Sequence, residues 1–185
     1  MCKQCELKSV YEFTNQRKLC KLCFIHWFEK KVLYTIRKFG MIKSGEVVGY
    51  CRGKDVRSAV LENVLKMFAG KGRVEVVKGG QGTKIALPDT LDSVSYNIVE
   101  EIINGKVKEL EKFKPVCGKV IRPLCLFLDK EVLLYAKLRG LKYSAGVPPT
   151  LSAQLINFIN ELEIKHPEIK NAIVNGWLKM SVNLP

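Results

Sequence analysis

The sequence predicts an α/β fold: a parallel sheet flanked by helices, headed by a small cysteine-rich module and closed by a helical C-terminus. Three observations lead there. Two C-x2-C pairs fall within "CKQCELKSVYEFTNQRKLCKLCF". Short apolar runs then alternate with segments of helical period, as in an α/β layer. The final stretch carries helical patterning only.

In the cysteine-rich module, Cys2 and Cys5 form one pair and Cys20 and Cys23 the other, with fourteen residues between the pairs. A two-residue gap lets two thiolates on a tight turn face one cation, and two such turns complete a tetrahedral site suited to Zn²⁺. A closed four-thiolate site has no open position for substrate, so the expected zinc is structural. Between the pairs, "SVYEF" has the composition of a short hairpin strand. His26 lies just past a saturated site and reads as the first turn of the next helix. His166, before a proline, reads as a solvated helix end.

From 24 to 39, "FIHWFEKKVLYTIRKF" repeats apolar residues at helical spacing, with basic residues opposite. "GEVVGY" follows as a buried strand, then the loop "CRGKDV", then a helix over about 56–68 that "AGKG" breaks. "RVEVVKGGQGTKIALP" predicts two short strands around a Gly-rich turn. The stretch 90–113 reads as a long helix, weakened at Asn104-Gly105 and so able to be two. "KVIRPL" is a short strand or extended link. "LDKEVLLYAKLRG" is a helix closed by Gly140, "GVPPT" a turn, and the remainder two more helices.

The chain has 185 residues, 47% of them hydrophobic, enough for one sizeable core with an appended module. Lys and Arg number 31 against 18 acidic residues, a net charge of +13. Such a surplus favours polyanions, nucleic acid first; the alternative is a lysine-rich surface serving solubility. Lys18, Lys21, Lys30, Lys31, Arg37 and Lys38 cluster beside the cysteines and are the candidate RNA contacts. No run reaches the ~18 apolar residues of a spanning helix, and the first ten residues lack a signal-peptide core. A cytoplasmic protein without a membrane partner is expected, its seven cysteines serving metal before disulfides.

In order, these pieces resemble the PP-loop tRNA 2-thiolation enzymes, ATP-dependent sulfurtransferases that make 2-thiouridine. "LCKLCFIHWFEKKVLYTIRKFGMIKSGEVVGY" looks like their N-terminal zinc finger, linking helix and first strand. "CRGKDV" stands where they have SGGKDS, and "TKIALPDTLDSVSYNIVEEIINGKVKEL" resembles their GHNLDDE block with its helix. "IRPLCLFLDKEVLLYAKLRGLKY" and "HPEIKNAIVNGWLKM" resemble their C-terminal elements. The resemblance implies a zinc finger at 1–25, a linking helix at 26–40, a truncated HUP/PP-loop-like α/β domain at 41–145 and C-terminal helices at 146–185. It also implies ATP held by loop amides and hydroxyls at a helix N-terminus, and cysteines, often with an iron–sulfur cluster, that present sulfur.

The sequence departs from that pattern. Gly53, Lys54 and Asp55 match the phosphate loop and are the candidate cofactor contacts, but Cys51, Arg52 and Val56 replace Ser, Gly and Ser. Leu91 and Asp92 match part of LDDE, while Leu87 and Pro88 replace a Gly-His pair. Only about twenty residues separate the two blocks, where the family has further strands and a cysteine pair. "GVPPT" lacks the family's cysteine near Val147, and the family's C-terminal zinc finger has no counterpart. ATP binding is therefore doubtful and an iron–sulfur cluster is not expected. Cys51, beside basic residues at a helix start, is the one candidate catalytic thiol; the alternative is a small residue filling the serine's space. Cys117 and Cys125 read as packing residues.

The resulting expectation is a tRNA-binding, non-catalytic relative acting in or alongside tRNA thiolation. One alternative is an active ATP-dependent sulfurtransferase using Cys51. The other is a structural subunit, as a homodimer or paired with a full-length homologue.

Overall fold

In the computed structural model, residues 1–51, 53–70, 74–144 and 153–182 are described. Arg52, the Lys71-Gly72 helix break and the "GVPPT" stretch with Val147 lie outside them. The N-terminal module is a hairpin of β1 (Tyr11–Glu12) and β2 (Lys18–Leu19), antiparallel with Tyr11 opposite Leu19. It is seated by its aromatics: the Tyr11 ring lies 5.0 Å from Phe24 and the Phe13 ring 4.6 Å from Trp27. Both partners belong to α1 (Lys21–Lys38), which begins earlier than its apolar period suggests. Cys20 is its N-cap residue and Cys23 sits in its first turn. The inner face of α1 buries Phe24, Phe28, Val32 and Ile36. Phe28 stacks on Tyr135 at 4.2 Å and meets Phe127 at 4.3 Å, binding the helix to the rest of the core.

The main sheet has the order β4-β3-β5-β7-β6: β3 (Val47–Tyr50), β4 (Glu75–Lys78), β5 (Lys84–Ala86), β6 (Val116–Cys117) and β7 (Val120–Ile121). The first four strands in that order run parallel, and β6 closes one edge antiparallel. In the register, Tyr50, Ala86 and Ile121 are neighbours on one face, and all are buried. Covering elements include α2 (Val56–Ala69), packed against β4, α1 and α4 (Asp129–Arg139). A second helical group is formed by α3 (Leu91–Ile103), α5 (Ala153–Lys165) and α6 (Ile169–Val182).

Two expectations are refined. The stretch 90–113 is α3 followed by a 3-10 helix, Val107–Phe113, because Gly105 takes a left-handed φ of 70° and turns the chain. The strands around the Gly-rich turn do not pair with each other: β4 and β5 flank β3. Residues 79–83 cross over β3 to join them, although parallel strands usually need a dozen residues and a helix. Two strand spacings, roughly 9.6 Å, are within reach of five extended residues at ~17 Å, provided backbone lies directly on backbone. Glycines allow this. A Cβ on Gly49 would stand 2.8 Å from the Gln81 carbonyl carbon, and one on Gly82 2.6 Å from the Val47 oxygen. The Thr83 hydroxyl completes the strap, accepting from Val47 N and donating to Val47 O, both at 3.1 Å.

Overpacking of this kind costs ~1–3 kcal/mol. Gly49→Ala is therefore expected to lower unfolding free energy by about that amount. Gly176→Ala is expected to be neutral or stabilising by up to about 1 kcal/mol, since a Cβ there meets nothing within 4 Å. Urea denaturation of both variants checks this, and an unperturbed Gly49→Ala would show that the strap does not press on β3.

Candidate functional site

The loop after β3 holds Gly53, Lys54 and Asp55 where the sequence places them. Asp55 is the N-cap of α2, and its carboxylate accepts from Arg57 N (2.9 Å), Ser58 N (3.1 Å) and Ser58 Oγ (2.6 Å). Burial alone would raise its pKa, but these donors outweigh burial and hold it below the usual aspartate value. Gly53 lies over this cap, so close that a Cβ would meet Ser58 Cβ at 2.8 Å. Ser144 N donates to Lys54 O at 2.7 Å, tying the loop to the segment after α4. An open cavity of about 500 Å³ adjoins it, lined by Gly53, Lys54, Glu62, Lys142 and Tyr143. The first turn of α2 has thus committed two amides and the Ser58 hydroxyl to its own carboxylate. Val56 adds no further hydroxyl. Cys51 is exposed at the end of β3, facing Gly80 of the strap.

Beside the loop, Arg57 makes a two-nitrogen ion pair with Asp129, its Nε at 2.9 Å from Oδ1. Asp129 also accepts from Thr90 Oγ1 (2.7 Å), and its amide donates to Asp92 Oδ2 (2.7 Å). The other oxygen of Asp92 meets Lys170 Nζ at 2.5 Å; Lys170 also reaches Glu163 (2.6 Å) and Asn160 Oδ1 (3.0 Å). The Tyr96 hydroxyl donates to the same Asn160 oxygen at 2.7 Å. Lys170 is only 2% exposed. Burial opposes its charge, but the carboxylates of Asp92 and Glu163 prevail and raise its pKa. A raised lysine contributes stability that is complete below its unfolded value of about 10.4 and is lost as pH rises through the folded value. Sequence reading caught Asp92 and missed its partners. Asp129 had a signal, as an acid opening a helix, whereas Lys170 reads as one more surface lysine.

The four finger cysteines converge: their Sγ atoms all lie within 4.8 Å of one another, with Cys5 3.3 Å from Cys20 and 3.6 Å from Cys23. An amide, Gln4 N, approaches Cys2 Sγ at 3.4 Å. Four thiolates are a donor set for zinc or for iron–sulfur chemistry. Among the described residues, Cys51, Cys117 and Cys125 belong to no group of three or more metal donors. Cys125 is buried, which pushes its thiol up to about 12.

The predicted basic stripe is only partly realised. Lys21, Lys30, Arg37 and Lys38 are exposed. Lys31 turns inward and is removed from the set: its ammonium lies 4.4 Å from the Phe127 ring, 5.0 Å from Trp27 and 3.7 Å from Glu131. Lys18 sits on β2, paired with Glu12 at 3.1 Å. The α1 period places 31 near the boundary between faces, and Glu131 with two aromatic rings draws it inside.

No family model matches the sequence, and no curated protein matches it. Among solved structures, all of this chain superposes on 88% of the U34-tRNA thiolase NcsA from Methanococcus maripaludis, solved with its [4Fe-4S] cluster, at a TM-score of 0.82 and 19% identity. The chain has the fold of a tRNA thiolase. The resemblance read from the sequence holds at the level of fold, with a mostly parallel sheet flanked by helices and a helical C-terminus. One expectation is corrected. An iron–sulfur cluster was not expected beside a zinc site, yet a protein of this fold carries one, and the four clustered thiolates fit such a group. No helix among the described residues is long and apolar enough to cross a membrane.

Removing one partner from a buried pair typically costs ~3–5 kcal/mol. Glu163 remains beside Lys170, so Asp92→Ala is expected near the lower bound, at about 3 kcal/mol. Asp92→Ala with Lys170→Met should cost less than the sum of the single changes by about 1 kcal/mol or more. Additive losses in a double-mutant cycle would mean that the two side chains do not interact.

Proposed function

We propose that this chain binds tRNA as a non-catalytic relative of the tRNA thiolases and acts in or alongside tRNA thiolation. The observation that carries the reading is the state of its phosphate loop. Cys51 ends β3 and Val56 opens α2 where the resembled loop has serines, so two hydroxyls that would face a phosphate at this helix start are missing. The RNA half is supported by the fold shared with a U34-tRNA thiolase and by the net charge of +13. A second reading, ATP-dependent sulfur transfer through Cys51, draws on the exposure of that thiol at the loop.

Cys2, Cys5, Cys20 and Cys23 are proposed as a metal centre that seats the hairpin on α1; metal binding of this kind is folding free energy. Purified protein should hold stoichiometric zinc or iron, with acid-labile sulfide reporting a cluster. The paired change Cys20→Ser and Cys23→Ser should lose it. Full metal content in that variant would reassign the ligands.

For the loop and the RNA, one set of measurements decides. A site with a dissociation constant of ~10 μM would add ~2.7 kcal/mol in 1 mM Mg·ATP, raising the unfolding midpoint by about 5–10 °C; no shift is expected. Binding to tRNA should weaken steeply with salt, by ~0.7–0.9 in log affinity per log salt for each phosphate contact. A large ATP shift together with thiouridine formation would favour the Cys51 reading. Absence of salt-sensitive tRNA binding would favour a purely structural subunit.

A further inference from the structure

We infer that the outer face of α1 takes an unpaired stretch of RNA, with Tyr34 as the platform on which a base stacks. This rests on the RNA-binding reading above and specifies the kind of RNA and the residue that receives it.

Leu22, His26, Lys30, Tyr34 and Lys38 follow one another at intervals of four as an inclined ridge on α1, and its last three members, Lys30, Tyr34 and Lys38, lie within roughly 80° of one another. The ridge spans ~24 Å of helix axis, and Arg37 adjoins it next to Tyr34. All are exposed, Leu22 at 69% and Tyr34 at 59%. Among the described residues no ring contact involves Tyr34: the aromatic cluster that holds α1 is built from Tyr11, Phe13, Phe24, Trp27, Phe28, Phe127 and Tyr135.

The charges around the ring are uncommitted. Lys30 and Arg37 have no carboxylate partner among the described residues, whereas Lys18, Lys31, Lys112 and Lys170 all do. The acid on α1, Glu29, is taken by Arg139. Lys38 lies 5.2 Å from the Phe39 ring and keeps its charge toward solvent. Cations without partners are where phosphate binding releases counterions at no competing cost. Lys30 stands one turn before the ring, Arg37 and Lys38 one turn after it.

An aromatic ring between cations is the pattern for single strands: phosphates lie on the charges and an unstacked base lies on the ring. A duplex keeps its bases stacked on one another and offers phosphates and groove edges, which give an exposed tyrosine nothing to stack on. The occupant is therefore a loop or an end of RNA, held with little regard to sequence.

The test compares a short single-stranded RNA with a duplex of the same length, over a salt series, for the wild type, Tyr34→Phe, Tyr34→Ala and the double change Lys30→Gln with Arg37→Gln. The wild type should prefer the single strand. Tyr34→Ala should weaken that binding about tenfold, within a roughly 5- to 150-fold range, while leaving the salt slope and duplex affinity unchanged. Tyr34→Phe should retain affinity. The double lysine–arginine change should flatten the slope by ~1.4. Because the ring is exposed, the melting temperature of Tyr34→Ala should stay at the wild-type value. Salt-sensitive tRNA binding combined with wild-type single-strand affinity in Tyr34→Ala, or equal affinity for duplex, would overturn this inference and leave the tRNA reading standing. If the wild type binds neither RNA nor tRNA, the tRNA reading itself fails.

Discussion

Asp92 is the carboxylate through which the helices beyond the sheet are joined. One oxygen meets Lys170 of α6, which in turn holds Glu163 and Asn160 of α5. The other accepts the amide at the start of α4, whose Asp129 side chain holds Arg57 of α2 and the capping Thr90 of α3. Five helices are thereby referred to one buried position. In an interior of low dielectric each member is costly unless all the others are present, so the network sets where α5 and α6 dock rather than merely adding stability. The first turn of α2 belongs to the same network, which means the loop's geometry is fixed by structure and needs no nucleotide to hold it.

That dependence makes the fold around the loop independent of any phosphate chemistry there. The strand-loop-helix geometry around Gly53 needs only a glycine above the Asp55 cap and a small residue below it. Hydroxyls that would contact phosphate are not required for it. The strap across β3 follows the same logic: Gly49 and Gly82 replace a crossover helix with backbone contact. The row Val77, Ile85 and Val120 beside Gly49 is left only half-buried. Packing is tight on the face that carries Tyr50, Ala86 and Ile121 and looser on the other.

Much of this was legible in the residues. The cysteine spacing anticipated the thiol cluster, Gly140 anticipated the end of α4, and Asn104-Gly105 anticipated the break after α3. Strand pairing was not legible, because "EVVKGGQGTKIA" satisfies a hairpin pattern equally well. Only the burial of β3 between its neighbours decides the order. The site was less legible still. Local pattern assigned Lys31 to the charged face, yet Glu131 and Phe127, a hundred residues away in sequence, draw it inside. Lys170 is hidden for the same reason: its partners come from α3 and α5, and no period within α6 distinguishes it. The identity of the metal could not follow from spacing, since zinc and iron–sulfur groups accept the same thiolates.

The hairpin and α1 act as one unit, and this relates the thiol cluster to the basic face. Cys20 and Cys23 lie at the start of α1, so whatever the thiolates hold fixes the helix at that end. Phe28 against Tyr135 and Phe127 fixes its middle. A helix pinned at both places presents its outer residues at defined positions, and a rigid platform loses less entropy on binding than a mobile one. The inner face of α1 is spent on aromatic packing and the outer face on uncommitted charge. On the proposed RNA reading, the thiol cluster would bear on recognition without touching the ligand, by setting the orientation of Lys30, Tyr34 and Arg37 on α1.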